Sequence, residues 1–148
     1  MIKILSPDDF EKCSNIWDIK KCRKMAHRFY DEIISGNRIT FIYSRGGEFI
    51  GEGSIVFDTG DPDYTILHRR IYFSRLIVKK EYRRKGIGRE LCRHIIEYVT
   101  ELGYTEMSIG VDIDNFAAIK LYQSIGFDNL IFVGEDSDGK YFKLLKKL

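Results

Sequence analysis

Cysteine is scarce in this chain. Cys13, Cys22 and Cys92 are the only three among 148 residues, an odd number with no C-x-x-C pair. This fits a reducing compartment better than a disulfide framework; free thiols are expected, and the expected location is the cytoplasm. No stretch is rich enough in proline, serine or glycine to act as a linker, and no internal repeat is visible. Long apolar runs are missing too: none approaches the roughly 18 residues of a membrane span, and Met1-Ile2-Lys3-Ile4-Leu5 lacks the long apolar segment of a secretory signal. No membrane partner is expected. Nor is there an excess of one charge, since 24 Lys and Arg face 22 Asp and Glu for a net +2. That balance argues against nucleic acid as the main partner.

What remains is the composition of a folded protein, 44% hydrophobic and 31% charged, of a length that suits one domain over residues 1–148. The near-neutral total hides a local cluster. Lys79-Lys80-Glu81-Tyr82-Arg83-Arg84-Lys85 holds five cations in seven residues, directly before Gly86-Ile87-Gly88.

The pattern predicts a short opening strand, then a helix start at Ser6-Pro7-Asp8-Asp9, with a capping serine, a proline in the first turn and acids at the positive end of the dipole. Helix continues with a break to Ile34, and Gly36 stops it. Residues 38–44 and 48–57 read as a hairpin turned at Arg45-Gly46-Gly47, and 69–79 as a third long strand. From Ile87 the period changes: Ile87, Leu91, Ile95 and Val99 recur every four residues, an amphipathic helix ending near Gly103. A strand at 104–111, a helix at 115–125 and two strands at about 127–133 and 140–146, turned at 134–139, complete the chain. The order β-α-α-β-β-β-α-β-α-β-β means an α/β (α+β) mixed sheet with helices on its faces. Its strand–helix–strand unit from 69 to 111 should be parallel and right-handed.

The strand-to-helix turn at Arg83-Arg84-Lys85-Gly86-Ile87-Gly88-Arg89 carries the chemistry. The first N–H groups of a helix lack internal partners and point outward at its positive end, glycines let the backbone approach an anion closely, and arginines add charge-assisted bonds to phosphate oxygens. A Walker loop is absent. A dinucleotide fingerprint fails because Leu91 stands where its third glycine belongs, and Gly51-x-Gly53 fails likewise at Val56.

Arg83-x-x-Gly86-x-Gly88 resembles the R/Q-x-x-G-x-G/A turn of the GNAT (GCN5-related) N-acetyltransferases. Downstream, Asn115-Phe-Ala-Ala118-Ile-Lys-Leu-Tyr122-Gln-Ser-Ile-Gly126-Phe127 is similar to that family's N-x-x-A-x-x-x-Y-x-x-x-G-F segment. The element order fits over nearly the whole chain. The resemblance implies a mostly antiparallel sheet with a central parallel, splayed strand pair. It also implies acetyl-CoA as cosubstrate, with its pyrophosphate at Arg83, Arg84, Lys85, Gly86, Ile87, Gly88 and Arg89. The pantetheine amides would bond the main chain at Leu76, Ile77 and Val78, with Asn115 and Ala118 nearby.

By the same resemblance the reaction is direct attack of a primary amine, of a small molecule or a protein, on the acetyl thioester. Tyr122 is then the acid for the departing sulfur, and a phenol with a pKa of about 10 is already protonated at neutral pH. No base is named. Where some members carry a glutamate, this chain has Gly110, and where others carry an acid it has Tyr72. Glu52, Asp58, Asp112 and His27 could act through a water, but each also reads as an isolated acid on an exposed strand or loop, or a histidine on a helix. Trp17, His27, Phe29, Tyr30 and Tyr64, with Asp58, Asp61 and Asp63, are the aromatic and acidic residues of the regions expected to meet the acceptor; they could hold a cationic amine, but most of them read rather as core and a solvated loop. No metal is implied, and homodimers are common in the family. The alternative is a non-catalytic acyl-CoA-binding module of the same fold.

Overall fold

The structure, a computed structural model, describes all residues from Met1 to Leu148. Its elements are β1 (Ile2–Ile4), a 3-10 helix (Pro7–Asn15), α1 (Arg23–Ser35), β2 (Arg38–Arg45), β3 (Glu48–Val56) and β4 (Arg70–Val78). After a 3-10 turn (Lys80–Tyr82) come α2 (Ile87–Glu101), β5 (Glu106–Asp112), α3 (Phe116–Ser124), β6 (Asn129–Asp136) and β7 (Gly139–Lys147). The strands form one seven-stranded sheet in the order β1-β2-β3-β4-β5-β7-β6. Two compact units divide the chain: one of residues 1–55 and 75–97, the other of 56–74 and 98–148.

In the first unit β1 pairs antiparallel with β2, from Ile2↔Tyr43 to Ile4↔Phe41. Helices cover both faces. On one, Leu5, Cys13, Trp17, Ala26, Phe29, Ile42 and Phe49 make a buried cluster against which Ile77 and Met25 pack. On the other, α2 lies directly on β3. A Cβ on Gly51 would sit 3.3 Å from both Ile87 Cγ2 and Leu91 Cδ1, and one on Gly53 would sit 2.7 Å from Ile95 Cδ1. These glycines, whose spacing failed as a nucleotide motif, are the seat of the helix. The four-residue stripe is buried as expected, with Ile87 3% exposed and Leu91, Ile95 and Val99 not at all.

The second unit holds the predicted parallel pair. The β4–β5 ladder runs from Arg70↔Glu106 to Phe73↔Ile109, and β4 continues for five residues to Val78. β5 pairs antiparallel with β7 along its whole length and β6 closes the edge against β7.

Two expectations change. The first helical segment is a 3-10 helix, and Ser6 makes no side-chain cap although Pro7 and two acids follow it. The β6–β7 turn is tighter than the 134–139 span: Gly134, Glu135 and Asp136 are paired in the strand, and Gly139 is opposite Asp136. Gly134 belongs there because the Tyr141 ring of the facing residue lies over it, within 2.5 Å of where a Cβ would be. Gly36, by contrast, ends α1 in the left-handed region at φ 82° as predicted.

Because α2 is seated this closely, Gly53→Val is expected to lower stability by about 1–3 kcal/mol, the usual cost of overpacking a tight contact. Gly53→Ala should cost less, since only the flexible tip of Ile95 must yield. Urea unfolding of the two variants measures the difference.

Candidate functional site

The turn between β4 and α2 has the predicted form. Gly86 takes a left-handed φ of 82°, and Arg84 does so at 63°, where few non-glycine residues settle. The Glu90 N–H bonds the Gly86 carbonyl at 3.0 Å as the first helical bond. The N–H groups of Ile87, Gly88 and Arg89 are therefore the helix's outward donors. Buried Ile87 anchors this end while Arg83, Arg84, Lys85 and Arg89 are exposed around it. Arg83 also holds the turn, its Nε donating to the Val78 carbonyl at 2.8 Å. Lys85 stands 5.5 Å above the Tyr82 ring.

One cation of the cluster is engaged elsewhere. The Lys79 ammonium lies 3.0 Å from Glu48 and donates to the Asn15 side-chain Oδ1 at 3.2 Å, with Glu81 at 3.5 Å. Just before the turn, Leu76, Ile77 and Val78 are only half-buried although β4 is central in the sheet.

Of the candidate bases in this unit, Glu52 departs most from expectation. It is buried, not on an exposed strand, with 4% of its side chain accessible and Arg75 Nε 4.0 Å away. Burial pushes its carboxyl above the usual range, while Arg75, the Trp17 indole N–H facing it and Arg38 pull it back. The indole does so without completing a hydrogen bond. The Arg75 guanidinium lies 4.7 Å over Trp17 and that of Arg38 3.9 Å over Phe29, so arginines of the fold cover these two aromatic faces. Trp17 and Phe29 are core residues, whereas His27 is exposed.

In the second unit, Asn115 caps α3, its Oδ1 accepting from the Ala118 N–H at 3.3 Å. Ala118 is half-buried, and Tyr122 is 7% exposed with its ring edge-on to Phe127 at 6.0 Å. Asp112 is exposed, and Asp58 accepts the Gly60 N–H at 2.9 Å. Gly110 is not open space: a Cβ there would lie 2.6 Å from the Tyr64 hydroxyl. The Tyr64 ring is 4.4 Å from that of Tyr72. Tyr64 comes from the 57–69 loop, which is fastened at several points. Ser108 Oγ donates to the Tyr64 carbonyl at 2.6 Å and Arg70 to the Asp63 carbonyl at 3.0 Å. Lys143 binds Asp61 at 2.9 Å and Asp63 at 3.0 Å, its ammonium 4.7 Å over the Tyr64 ring and 4.6 Å over Phe132. Sequence reasoning missed this clamp. Lys143 alternates with apolar neighbours on an ordinary strand, and only the β5–β7 register, which sets it opposite Gly110, brings it to the loop.

The hydrogen bond from Lys143, with that from the Asp63 N–H, holds the Asp61 carboxyl below its usual range. Its contribution to stability is complete above the ordinary aspartate value of about 4 and is lost as pH falls below that value and through the lowered one of the folded state. Lys143→Met should flatten the fall in stability between about pH 4 and pH 2 relative to the unaltered protein. Urea unfolding across that range reads the slopes, and equal slopes would dismiss the clamp.

No three His, Cys, Asp or Glu side chains come together as a metal-holding group, and no helix is long and apolar enough to cross a membrane. The profile of the acetyltransferase (GNAT) family matches residues 4–127. Human N-acetyltransferase 8 is 34% identical over 65 residues, 44% of this chain and 29% of the relative. N-alpha-acetyltransferase 30 of Xenopus laevis is 39% identical over 61 residues, 41% of this chain and 22% of the relative. The chain thus spans less than a third of the length of these relatives. Among solved structures, the PaiA N-acetyltransferase of Thermoplasma acidophilum in complex with coenzyme A superposes with a TM-score of 0.70 at 19% identity, covering 100% of this chain and 99% of that one. With the basic glycine turn, the Asn115–Phe127 segment and a family match over most of its length, the chain belongs to the acetyltransferase (GNAT) family.

Proposed function

We propose that residues 1–148 act as a single acetyltransferase domain that moves the acetyl group of acetyl-CoA to a primary amine, in the cytoplasm. The observation that carries this reading is the turn itself: outward helix N–H groups at Ile87, Gly88 and Arg89, ringed by exposed Arg83, Arg84, Lys85 and Arg89 in a protein of net charge +2. A small polyanion such as the pyrophosphate and 3′-phosphate of coenzyme A meets that concentration of charge. Half-buried Leu76, Ile77 and Val78 offer main chain to the pantetheine amides, as a strand edge does to a peptide.

In the reaction the amine nitrogen forms a bond to the thioester carbonyl carbon and the carbon–sulfur bond breaks. The leaving thiolate takes a proton from Tyr122, and the new amide sheds one to water, through which the Tyr122 phenolate is reprotonated. Asn115 shapes the connection that presents Tyr122. Neither nucleic acid nor membrane enters this scheme. The names of the relatives, one an N-alpha-acetyltransferase, support an amine acceptor.

Arg84→Gln is expected to weaken acetyl-CoA binding about tenfold by isothermal titration, and Lys20→Gln/Lys21→Gln not at all. Tyr122→Phe should lower thiol release at least tenfold across a panel of amines with acetyl-CoA affinity kept. Undetectable binding at millimolar acetyl-CoA would overturn the proposal, and binding without thiol release to any amine would leave a non-catalytic acyl-CoA module in its place.

A further inference from the structure

We propose that Tyr64, clamped over Gly110, forms the floor of the acceptor site and presents a neutral phenol there in place of a carboxylate. Transfer then selects amines that are already neutral, such as the α-amine of a peptide or amino acid, over lysine-type ε-amines. The inference rests on the acetyl-transfer reading above and names the acceptor class within it.

The place is fixed by topology. Ligands of sheets with parallel strands bind beyond the carboxyl ends of those strands. The β4–β5 ladder ends at Phe73↔Ile109, and Gly110 is the next residue of β5. A side chain at Gly110 would project into the Tyr64 hydroxyl, 2.6 Å from its Cβ, so the phenol occupies the position from which β5 would otherwise offer a functional group. Tyr64 does not wander: Ser108, Arg70 and the Lys143 clamp fasten its loop to three strands.

The charges around it are spent. The titratable groups facing Tyr64 are Tyr72 from β4, Tyr141 and Lys143 from β7, and Asp61 and Asp63 from its own loop. Both aspartates are bound to the Lys143 ammonium. Glu106, at the other end of β5, is bound to Arg69 and Arg70. Asp112 lies at the exposed end of β5, opposite Tyr141. Burial, then Tyr72, Tyr141 and the two aspartates, push the Tyr64 phenol above its ordinary value. It stays neutral and serves as a hydrogen-bond partner for the amine, not as its base. An α-amine with a pKa of about 7.7–8.0 is roughly one-third neutral at pH 7.5, an ε-amine near 10.4 only about one part in a thousand.

The test uses the full chain, acetyl-CoA and thiol release with two peptides of one sequence: one with a free α-amine, the other blocked there and carrying a lysine. At pH 7.5 the α-amine should be preferred on the order of 100-fold in kcat/KM. Its profile should level off above about pH 8, while the ε-amine profile keeps rising about tenfold per unit to pH 9.5. Tyr64→Phe should cut kcat/KM for the α-amine about tenfold with the acetyl-CoA KM unchanged. Lys143→Met, as a positioning change, should raise the acceptor KM and leave the acetyl-CoA KM alone. Tyr64→Ala/Gly110→Glu, which supplies a carboxylate where the phenol was, should narrow the preference and give both acceptors one shared inflection. A shared inflection in the unaltered protein, or a Tyr64→Phe variant with unchanged kcat/KM, overturns the inference while acetyl transfer stands. No thiol release with either peptide overturns the inference alone; no thiol release with any amine of the wider panel overturns acetyl transfer as well.

Discussion

The contact of α2 with β3 is what the basic turn depends on. A helix normally rests on a sheet through a layer of side chains, but at Gly51 and Gly53 that layer is missing on the sheet side and the methyl tips of Ile87, Leu91 and Ile95 reach the strand's backbone. Four-residue spacing keeps these tips on one line, so the helix has one seat and its first turn one position. An anion held by main-chain N–H groups needs donors that do not move when it arrives, because fixed dipoles bind without reorganisation. The same seat keeps the cationic side chains in solvent: Ile87 points down, and Arg83, Arg84, Lys85 and Arg89 are left outside.

Charge is handled in two ways. At the turn the cations are exposed and gathered, with Lys79 drawn to Glu48, Asn15 and Glu81. Elsewhere a buried charge is set against opposite ones. Glu52 lies with Arg75 and Arg38 under Trp17 and Phe29, and Lys143 lies with Asp61 and Asp63 against Tyr64 and Phe132. Removing one member of a buried set leaves the other without a partner, which costs more than the pair contributes.

How much of this was legible depended on the range of the interaction. The α2 stripe, the glycine turn and the Asn115–Phe127 segment lie within a few residues of themselves in sequence, and the parallel pairing of β4 with β5 followed through the connection rules. The tertiary facts did not show. Gly51 and Gly53 could be tested only as a local motif, and their reason for being glycine is a helix some 40 residues on. Gly110 could be seen to lack a carboxylate, but Tyr64, the residue that fills the space, stands 46 positions earlier. Gly134 looked like a turn because glycine usually breaks strands, whereas the Tyr141 ring opposite it covers the gap. Glu52 looked exposed because a lone acid in a β-rich run usually is, and its counter-charge Arg75 sits on another strand.

The Lys143 cage bears on the chemistry for this reason. Two carboxylates and two aromatic rings around an ammonium are what a site for a cationic amine would contain, and here a lysine of the fold itself fills it. A cationic acceptor would have to displace an ammonium held at about 3 Å by two aspartates, in a setting where burial opposes its charge but those bonds outweigh burial. The loop's acids are thereby removed from recognition and turned to the placement of Tyr64. A neutral amine does not compete with Lys143 at all, for it needs only a hydrogen-bond partner and a path to the thioester carbon. The arrangement that excludes a charged acceptor from the cage thus leaves a neutral one the surface beside it.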